Sequence, residues 1–147
     1  MNKLETFFFI LLLFLAVGCS ENKIEDGCKY ASKIIDGDTF VISTGEHVRL
    51  IGINAPEKGK QYSKLAAEEL TNLVSSKCLI FEKDISDKDA YGRLLRYVYA
   101  DNESINEILI RKGLAKQFPY KPDIKYADKF NESEAYAKTN NLGMWAR

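Results

Sequence analysis

The chain has 147 residues, and its 21 lysine and arginine residues balance 21 aspartate and glutamate residues, giving a formal net charge of zero at pH 7. This balance excludes a generally basic surface, so any attraction to nucleic acid has to come from a local cluster of basic side chains. The single histidine, His47, excludes mechanisms that need two histidines and disfavours a histidine-rich metal site. The length suits one domain with its own hydrophobic core.

The N-terminal segment has the features of an export signal. Residues 7–17 form an apolar run that is long enough for a signal peptide and too short to span a bilayer. The string Ala16-Val17-Gly18-Cys19 resembles the lipobox of bacterial lipoproteins, with alanine where leucine is usual. We interpret residues 1–18 as a lipoprotein-type signal peptide, Cys19 as the lipidation site and residues 19–28 as a flexible tether. The predicted location is the bacterial cell membrane after export; ordinary secretion and an uncleaved anchor are the alternatives.

Two further cysteines, Cys28 and Cys78, remain when Cys19 is lipidated. Because exported proteins commonly form disulfides, this pair predicts a bridge. The alternative is two buried free thiols, since cysteine packs well as a small hydrophobic residue.

Hydrophobic periodicity predicts the elements of residues 29–147 in chain order. Short apolar or alternating runs predict strands over 33–35, 39–42, 47–51, 79–81 and 94–99, with a tight turn at Asp36-Gly37 between the first two. Helical spacing predicts helices over 62–74, after the capping residue Ser104, and over 123–140. Five strands and three helices indicate an α+β domain built on a small antiparallel β-barrel.

Three short strings contain side chains suited to phosphate chemistry. They supply carboxylate and amide oxygens for a hard cation, arginines for a phosphate group and a carboxylate that could act on water. Each alone is typical of an ordinary turn or surface strand, and their order and spacing make the combination informative. The strings are Asp36-Gly37-Asp38-Thr39, residues 49–57 and Asp89-Ala90-Tyr91-Gly92-Arg93.

These strings resemble the motifs of the staphylococcal nuclease (thermonuclease) family, whose domain is a five-stranded OB-fold barrel with three α-helices. Residues 105–115, 120–122 and 142–145 are also similar to that family, so the resemblance covers nearly all of residues 29–145. It implies a calcium-dependent nuclease that hydrolyses DNA and RNA with little sequence specificity and leaves 3′-phosphate ends. A monomer is the expected state.

The resemblance also implies roles for single residues. Asp38, Asn54 and the carbonyl of Ala55 occupy the metal-binding positions. Glu57 matches the general base, while Arg49 and Arg93 match the arginines that hold the phosphate. An arginine stays charged and can donate to two phosphate oxygens at once, which suits this role.

Aromatic residues match the positions that line the family's nucleotide pocket. These are Tyr120, Tyr91 and Phe118. Stacking of bases on such rings tolerates any sequence. The alternative is that these rings pack at the rim of the barrel.

Two departures from the family pattern affect the expectations. Asn54 stands where well-known members carry a second metal-binding aspartate, so we expect weaker calcium binding or a changed metal preference. The loop over residues 57–62 is short and contains Lys58 and Lys60, which would touch substrate phosphates or simply be solvated. Because other domains of this family have lost catalysis, a noncatalytic OB-fold module that binds nucleic acid or protein is the alternative function.

Overall fold

A computed structural model describes residues 23–147. The predicted signal peptide, the lipidation site Cys19 and the first part of the tether lie outside the described residues. Among residues 23–147, no helix is both long enough and apolar enough to cross a membrane.

The described residues form nine strands and three α-helices. The helices are α1 (Ser63–Val74), α2 (Ile105–Arg111) and α3 (Ala127–Thr139), followed by a short 3-10 helix at Gly143–Trp145. The strands are β1 (Lys23–Ile24), β2 (Ala31–Ile34), β3 (Thr39–Ile42), β4 (His47–Leu50), β5 (Ile53–Asn54), β6 (Ile80–Lys83), β7 (Leu94–Ala100), β8 (Glu103–Ser104) and β9 (Lys116–Gln117). The α+β class and the three helices are therefore confirmed.

The strand count and the antiparallel barrel were predicted wrongly. The main sheet has the order β1-β6-β7-β4-β3-β2 with β8 also on β7, and its end strands are not joined into a closed barrel. Strands β4 and β7 run parallel, while β5 and β9 form a separate antiparallel pair. Periodicity missed the two-residue strands, because they are too short to show an alternating pattern and are defined only by their pairing.

The helices pack on the sheet through a single hydrophobic core. Helix α1 buries Ala66, Leu70 and Val74 against the core, while Leu65 is exposed. The hydroxyl of Ser104 accepts a hydrogen bond from the backbone N–H of Glu107 at 3.3 Å, and this contact caps the start of α2.

The N-terminal arm, residues 23–29, is attached to the sheet. Strand β1 pairs with β6, and the backbone N–H of Glu25 donates to the carbonyl of Phe81 at 2.9 Å. In the structure Cys28 and Cys78 form a disulfide, with their Cα atoms 4.8 Å apart. These contacts attach residues 23–28 to β6 and to the segment just before it.

The side chain of Asn106 joins α2 to β7 and to the segment after β4. Its side-chain oxygen accepts from the backbone N–H of Val98 at 3.0 Å, and its amide nitrogen donates to the carbonyl of Ile51 at 2.8 Å. The residue is fully buried, so water cannot replace either partner.

We predict that Asn106→Ala lowers the free energy of unfolding by about 2–4 kcal/mol, because it leaves a buried N–H and a buried carbonyl without partners. Urea denaturation monitored by circular dichroism measures the change. Asn72→Ala, at an exposed position of α1, is the matched control and should change stability by less than about 0.5 kcal/mol. Equal effects of the two substitutions would contradict this role.

Candidate nuclease site

The turn between β2 and β3 places the first predicted site residue. The backbone N–H of Asp38 donates to the Oδ1 atom of Asp36 at 3.0 Å, which closes the turn locally. A Cβ atom on Gly37 would lie 2.5 Å from the Cβ of Ala66 and 2.7 Å from the Cβ of Ala55. Only glycine lets the turn pack this closely against α1 and the segment after β5.

Asp38 is buried, with only 5% of its surface exposed. Its Oδ2 atom accepts from the backbone N–H of Ala55 at 2.7 Å and lies 3.1 Å from Nη1 of Arg49. Its Oδ1 atom accepts from the hydroxyl of Thr39 at 3.0 Å. Burial raises the pKa of Asp38 from 3.8 to about 6, although the charge of Arg49 and the N–H of Ala55 act in the opposite direction.

Arg49, on β4, connects Asp38 with Asn54. Its Nη2 atom donates to Oδ1 of Asn54 at 3.1 Å, and its Nη1 atom donates to the carbonyl of Leu50 at 3.1 Å. Burial, and then the positive charge of Arg93, lower the pKa of Arg49 below its usual value, despite the opposing charge of Asp38. Two guanidinium groups that repel each other favour an anion between them.

Arg93 lies on the hairpin that joins β6 to β7. Its Nε atom donates to Oδ2 of Asp89 at 2.7 Å, while Oδ1 of Asp89 accepts from the backbone N–H groups of Arg93 and Tyr91 at 3.0 and 2.9 Å. Burial alone would raise the pKa of Asp89, but its hydrogen bonds with Arg93 and Tyr91 and the charge of Arg93 lower it. Asp89 thus orients Arg93, a role that the sequence analysis missed.

Both arginines line one groove of about 490 Å³. The three predicted aromatic residues line it too and are well exposed, with Tyr91 at 85%, Phe118 at 52% and Tyr120 at 69%. The guanidinium carbon of Arg93 lies 5.4 Å from the centre of the Tyr91 ring. Exposed rings beside two arginines offer stacking surfaces for bases next to a site for phosphate.

The wall of this groove depends on Asp123, which the sequence analysis assigned to the start of α3. Asp123 is buried, and its Oδ1 atom accepts from the backbone N–H groups of Ile85 and Ser86 at 3.0 and 2.7 Å. Its own N–H donates to the carbonyl of Tyr120 at 2.9 Å. Asp123 therefore ties Tyr120 to the segment after β6. Only its position just after Pro122, a residue that interrupts helices, could have suggested a loop contact.

Glu57 lies apart from the arginines. It is exposed and lines a second groove of about 370 Å³ together with Asn54, Lys60 and Lys116. Within residues 23–147, its carboxylate makes no hydrogen bond or ion pair. The two grooves are linked by the Arg49–Asn54 hydrogen bond, since Arg49 lines the first groove and Asn54 lines the second. Lys58 is also exposed, and His47 lies exposed on β4.

The metal site implied by the resemblance would use oxygen donors, the ligand type that calcium prefers. In the described part of the chain, no group of three or more histidine, cysteine, aspartate or glutamate side chains is placed to hold a metal ion. The positions implied by the resemblance need only one carboxylate, that of Asp38, with the amide of Asn54 and the carbonyl of Ala55. All three are hard oxygen donors, and a cation beside the buried Asp38 would offset the cost of its ionisation.

Fold and site together define a small α+β domain in which buried Asp38 pairs with partly buried Arg49 at the edge of a groove lined by two arginines. Residues 47–147 match the family model described as staphylococcal nuclease homologue, and the chain belongs to this family.

The chain is also similar to curated proteins. It is 39% identical over 126 residues to endonuclease YncB of Bacillus subtilis (strain 168), covering 78% of this chain and 60% of that protein. It is 36% identical over 126 residues to the SPbeta prophage-derived endonuclease YokF of the same organism, covering 78% of this chain and 43% of that protein. The chain thus spans less than two thirds of these two relatives. Identity to the thermonuclease of Staphylococcus intermedius is 34% over 124 residues, covering 78% of this chain and 74% of that protein.

We predict that Asp38 makes the protein less stable as the pH rises in the presence of a chelator. Because its pKa is raised in the folded state, its stabilising contribution is complete below pH 3.8 and is lost as the pH rises through about 6. Relative to Asp38→Asn, which does not titrate, the wild type should lose on the order of 2–3 kcal/mol of unfolding free energy between pH 4 and pH 8.

Urea denaturation at several pH values measures this difference. The matched control is Asp26→Asn, at an exposed position of the N-terminal arm. A difference between Asp38→Asn and wild type that stays constant from pH 4 to pH 8 would contradict the prediction.

Proposed function

We propose that this protein is a nuclease that hydrolyses phosphodiester bonds. The observation that supports this most is that Arg49 and Arg93 line one groove together with three exposed aromatic rings. Membership of the staphylococcal nuclease family supports the same conclusion, as do the names of the similar proteins, which are endonucleases and thermonucleases.

DNA and RNA are the proposed substrates, with little preference for sequence. The groove offers guanidinium groups for phosphates and ring faces for bases, and every base has a face that can stack. The charged side chains Arg49 and Arg93 suit the backbone, which all nucleic acids share. The resemblance adds 3′-phosphate ends as the expected products.

The proposed cofactor is calcium. Asp38, Asn54 and the carbonyl of Ala55 would hold it, and the bound ion would supply a Lewis acid for a phosphoryl oxygen. The choice of calcium rests on the hard oxygen donors and on the family resemblance.

In the proposed mechanism, Arg49 and Arg93 donate hydrogen bonds to the phosphate oxygens and offset the negative charge that grows in the transition state. Oδ2 of Asp38 keeps the Arg49 guanidinium in place. The unpaired carboxylate of Glu57 accepts a proton from a water molecule on the side of the second groove. The oxygen of that water forms a bond to phosphorus as the bond to the 5′-oxygen breaks. The 5′-oxygen takes a proton from solvent water and leaves as a hydroxyl group, and the phosphate stays on the 3′-oxygen.

We predict that Arg93→Ala and Glu57→Ala each lower kcat by about 10²–10³-fold, because each removes a group that acts mainly in the transition state. Hydrolysis of single- and double-stranded DNA and RNA by the purified protein, with calcium, with other divalent ions and with a chelator, measures this. Arg111→Ala removes an exposed arginine of α2 and is the matched control.

Cleavage by either variant at the wild-type rate would refute the mechanism. Cleavage only with another ion would keep the reaction and refute calcium. A folded protein that binds nucleic acid but cleaves none with any ion would support the noncatalytic module instead.

We predict that Asn54→Asp tightens calcium binding by at least about tenfold, since calcium affinity rises with the number of charged ligands. Isothermal titration calorimetry measures the dissociation constant. Asn72→Asp adds the same charge to the exposed surface of α1 and should leave affinity unchanged. Unchanged affinity in Asn54→Asp would show that position 54 does not contact the ion.

Export and lipid anchoring through Cys19 remain proposals from the sequence. They place the nuclease at a bacterial membrane, where it would meet nucleic acid outside the cytoplasm.

A further inference from the structure

A buried arginine lies under the hairpin that carries Arg93. We define the Arg93 hairpin as residues 87–95; at its base the backbone N–H of Leu95 donates to the carbonyl of Asp87 at 2.9 Å. Arg96, on β7, is only 3% exposed. Its Nη1 atom donates to the carbonyls of both Asp87 and Leu95, at 2.9 and 2.8 Å. One guanidinium nitrogen thus forms hydrogen bonds with both backbone segments at the base of the hairpin.

The rest of this guanidinium is also paired. Its Nη2 atom donates to Oδ1 of Asp87 at 2.8 Å, and its Nε atom donates to Oε1 of Glu25 at 2.6 Å. Glu25 belongs to the N-terminal arm, which is separated by 71 residues from Arg96 in the chain. The arm is held at one side by the β1–β6 pairing and at the other by the Cys28–Cys78 disulfide.

The tip of the hairpin has little support of its own. Residues 90–92 are exposed, and the Arg93 side chain is held by Asp89, which belongs to the same hairpin. The position of the whole unit therefore depends on its base.

The base of the Arg93 hairpin lies next to Arg49, the other arginine proposed to bind phosphate. Leu95 is the register partner of Arg49, and the backbone N–H of Ile51 donates to the carbonyl of Arg96 at 3.0 Å.

We propose that Arg96 and Glu25 are positioning residues that set the distance between Arg93 and Arg49 in the substrate groove. This inference rests on the proposed nuclease function. Arg96 fixes the base of the hairpin relative to β4, and Glu25 fixes the direction of the Arg96 guanidinium. The N-terminal arm is then part of the scaffold of the site, even though no residue of the arm lines the groove.

A purely structural role would lower stability without changing the chemistry of the folded protein. A positioning role lowers kcat in the folded protein, because a misplaced arginine stabilises the transition state less, and errors of about 1 Å can cost up to about 10²-fold. Since the effect acts through Arg93, it has to disappear when Arg93 is absent.

The test is a double-mutant cycle on the full-length protein, measuring kcat and KM for a single-stranded DNA oligonucleotide below the unfolding temperature of every variant. We expect Glu25→Ala to lower kcat by about tenfold. Glu25→Gln retains an oxygen that accepts from Nε of Arg96 and should restore most of the activity. In the Arg93→Ala background, Glu25→Ala should cause no further loss. Arg96→Lys, whose single ammonium nitrogen cannot replace the three separate nitrogens of the planar guanidinium, should behave like Glu25→Ala.

The matched control is Glu69→Ala, which breaks the 2.7 Å ion pair between Glu69 on α1 and Lys112 after α2, away from the groove. It should change stability but not kcat. Wild-type kcat in Glu25→Ala, or an equal loss with and without Arg93, would overturn the inference while leaving the nuclease function intact. Wild-type kcat in Arg93→Ala would instead refute the proposed role of Arg93, and this inference with it.

Discussion

The site is organised around the ion pair between Asp38 and Arg49. A carboxylate with 5% of its surface exposed is unfavourable unless charge and hydrogen bonds compensate for lost water. Here the compensation comes from Arg49 and from the backbone N–H of Ala55, 17 residues further along the chain. The pair therefore joins the β2–β3 turn to β4 and to the segment after β5, and it fixes the direction in which Arg49 points.

Two opposing requirements meet in this arrangement. Folding alone would favour a neutral Asp38, because burial outweighs the nearby positive charge and raises its pKa. The proposed metal and phosphate chemistry needs the charged form. The site thus retains a cost in stability that a bound cation would offset, which is common where binding groups are held in place before the ligand arrives.

The sequence predicted what depends on local pattern. The Asp36-Gly37 turn, the cap at Ser104 and the buried face of α1 follow from residues close in the chain. Arg49, Arg93 and the three aromatic residues were found by their order within family motifs, and the structure brings these five to one groove. The resemblance also led to Asp38, although an Asp-Gly turn by itself has no specific meaning.

Contacts between distant segments could not be predicted. The parallel pairing of β4 with β7 and the short β5–β9 pair exist only because the chain folds back on itself. Asp123 lies in a segment with helical composition, yet its carboxylate binds backbone 37 residues earlier. Glu25 looked like part of a polar tether, because nothing in residues 19–28 indicates that a buried arginine at position 96 needs a partner.

The groove takes its positive charge from Arg49, Arg93 and Lys88 in a chain of zero net charge, which has a consequence for how such an enzyme would work along a strand. Each contacted phosphate releases about 0.7 counterions from single-stranded nucleic acid. Because the groove makes few such contacts, its affinity for a strand would depend only weakly on salt. Stacking on exposed rings adds affinity without holding the flanking backbone. Such a protein would dissociate from a strand after each cleavage and bind again at another position. Distributive rather than processive degradation is thus the mode of action that this charge distribution favours.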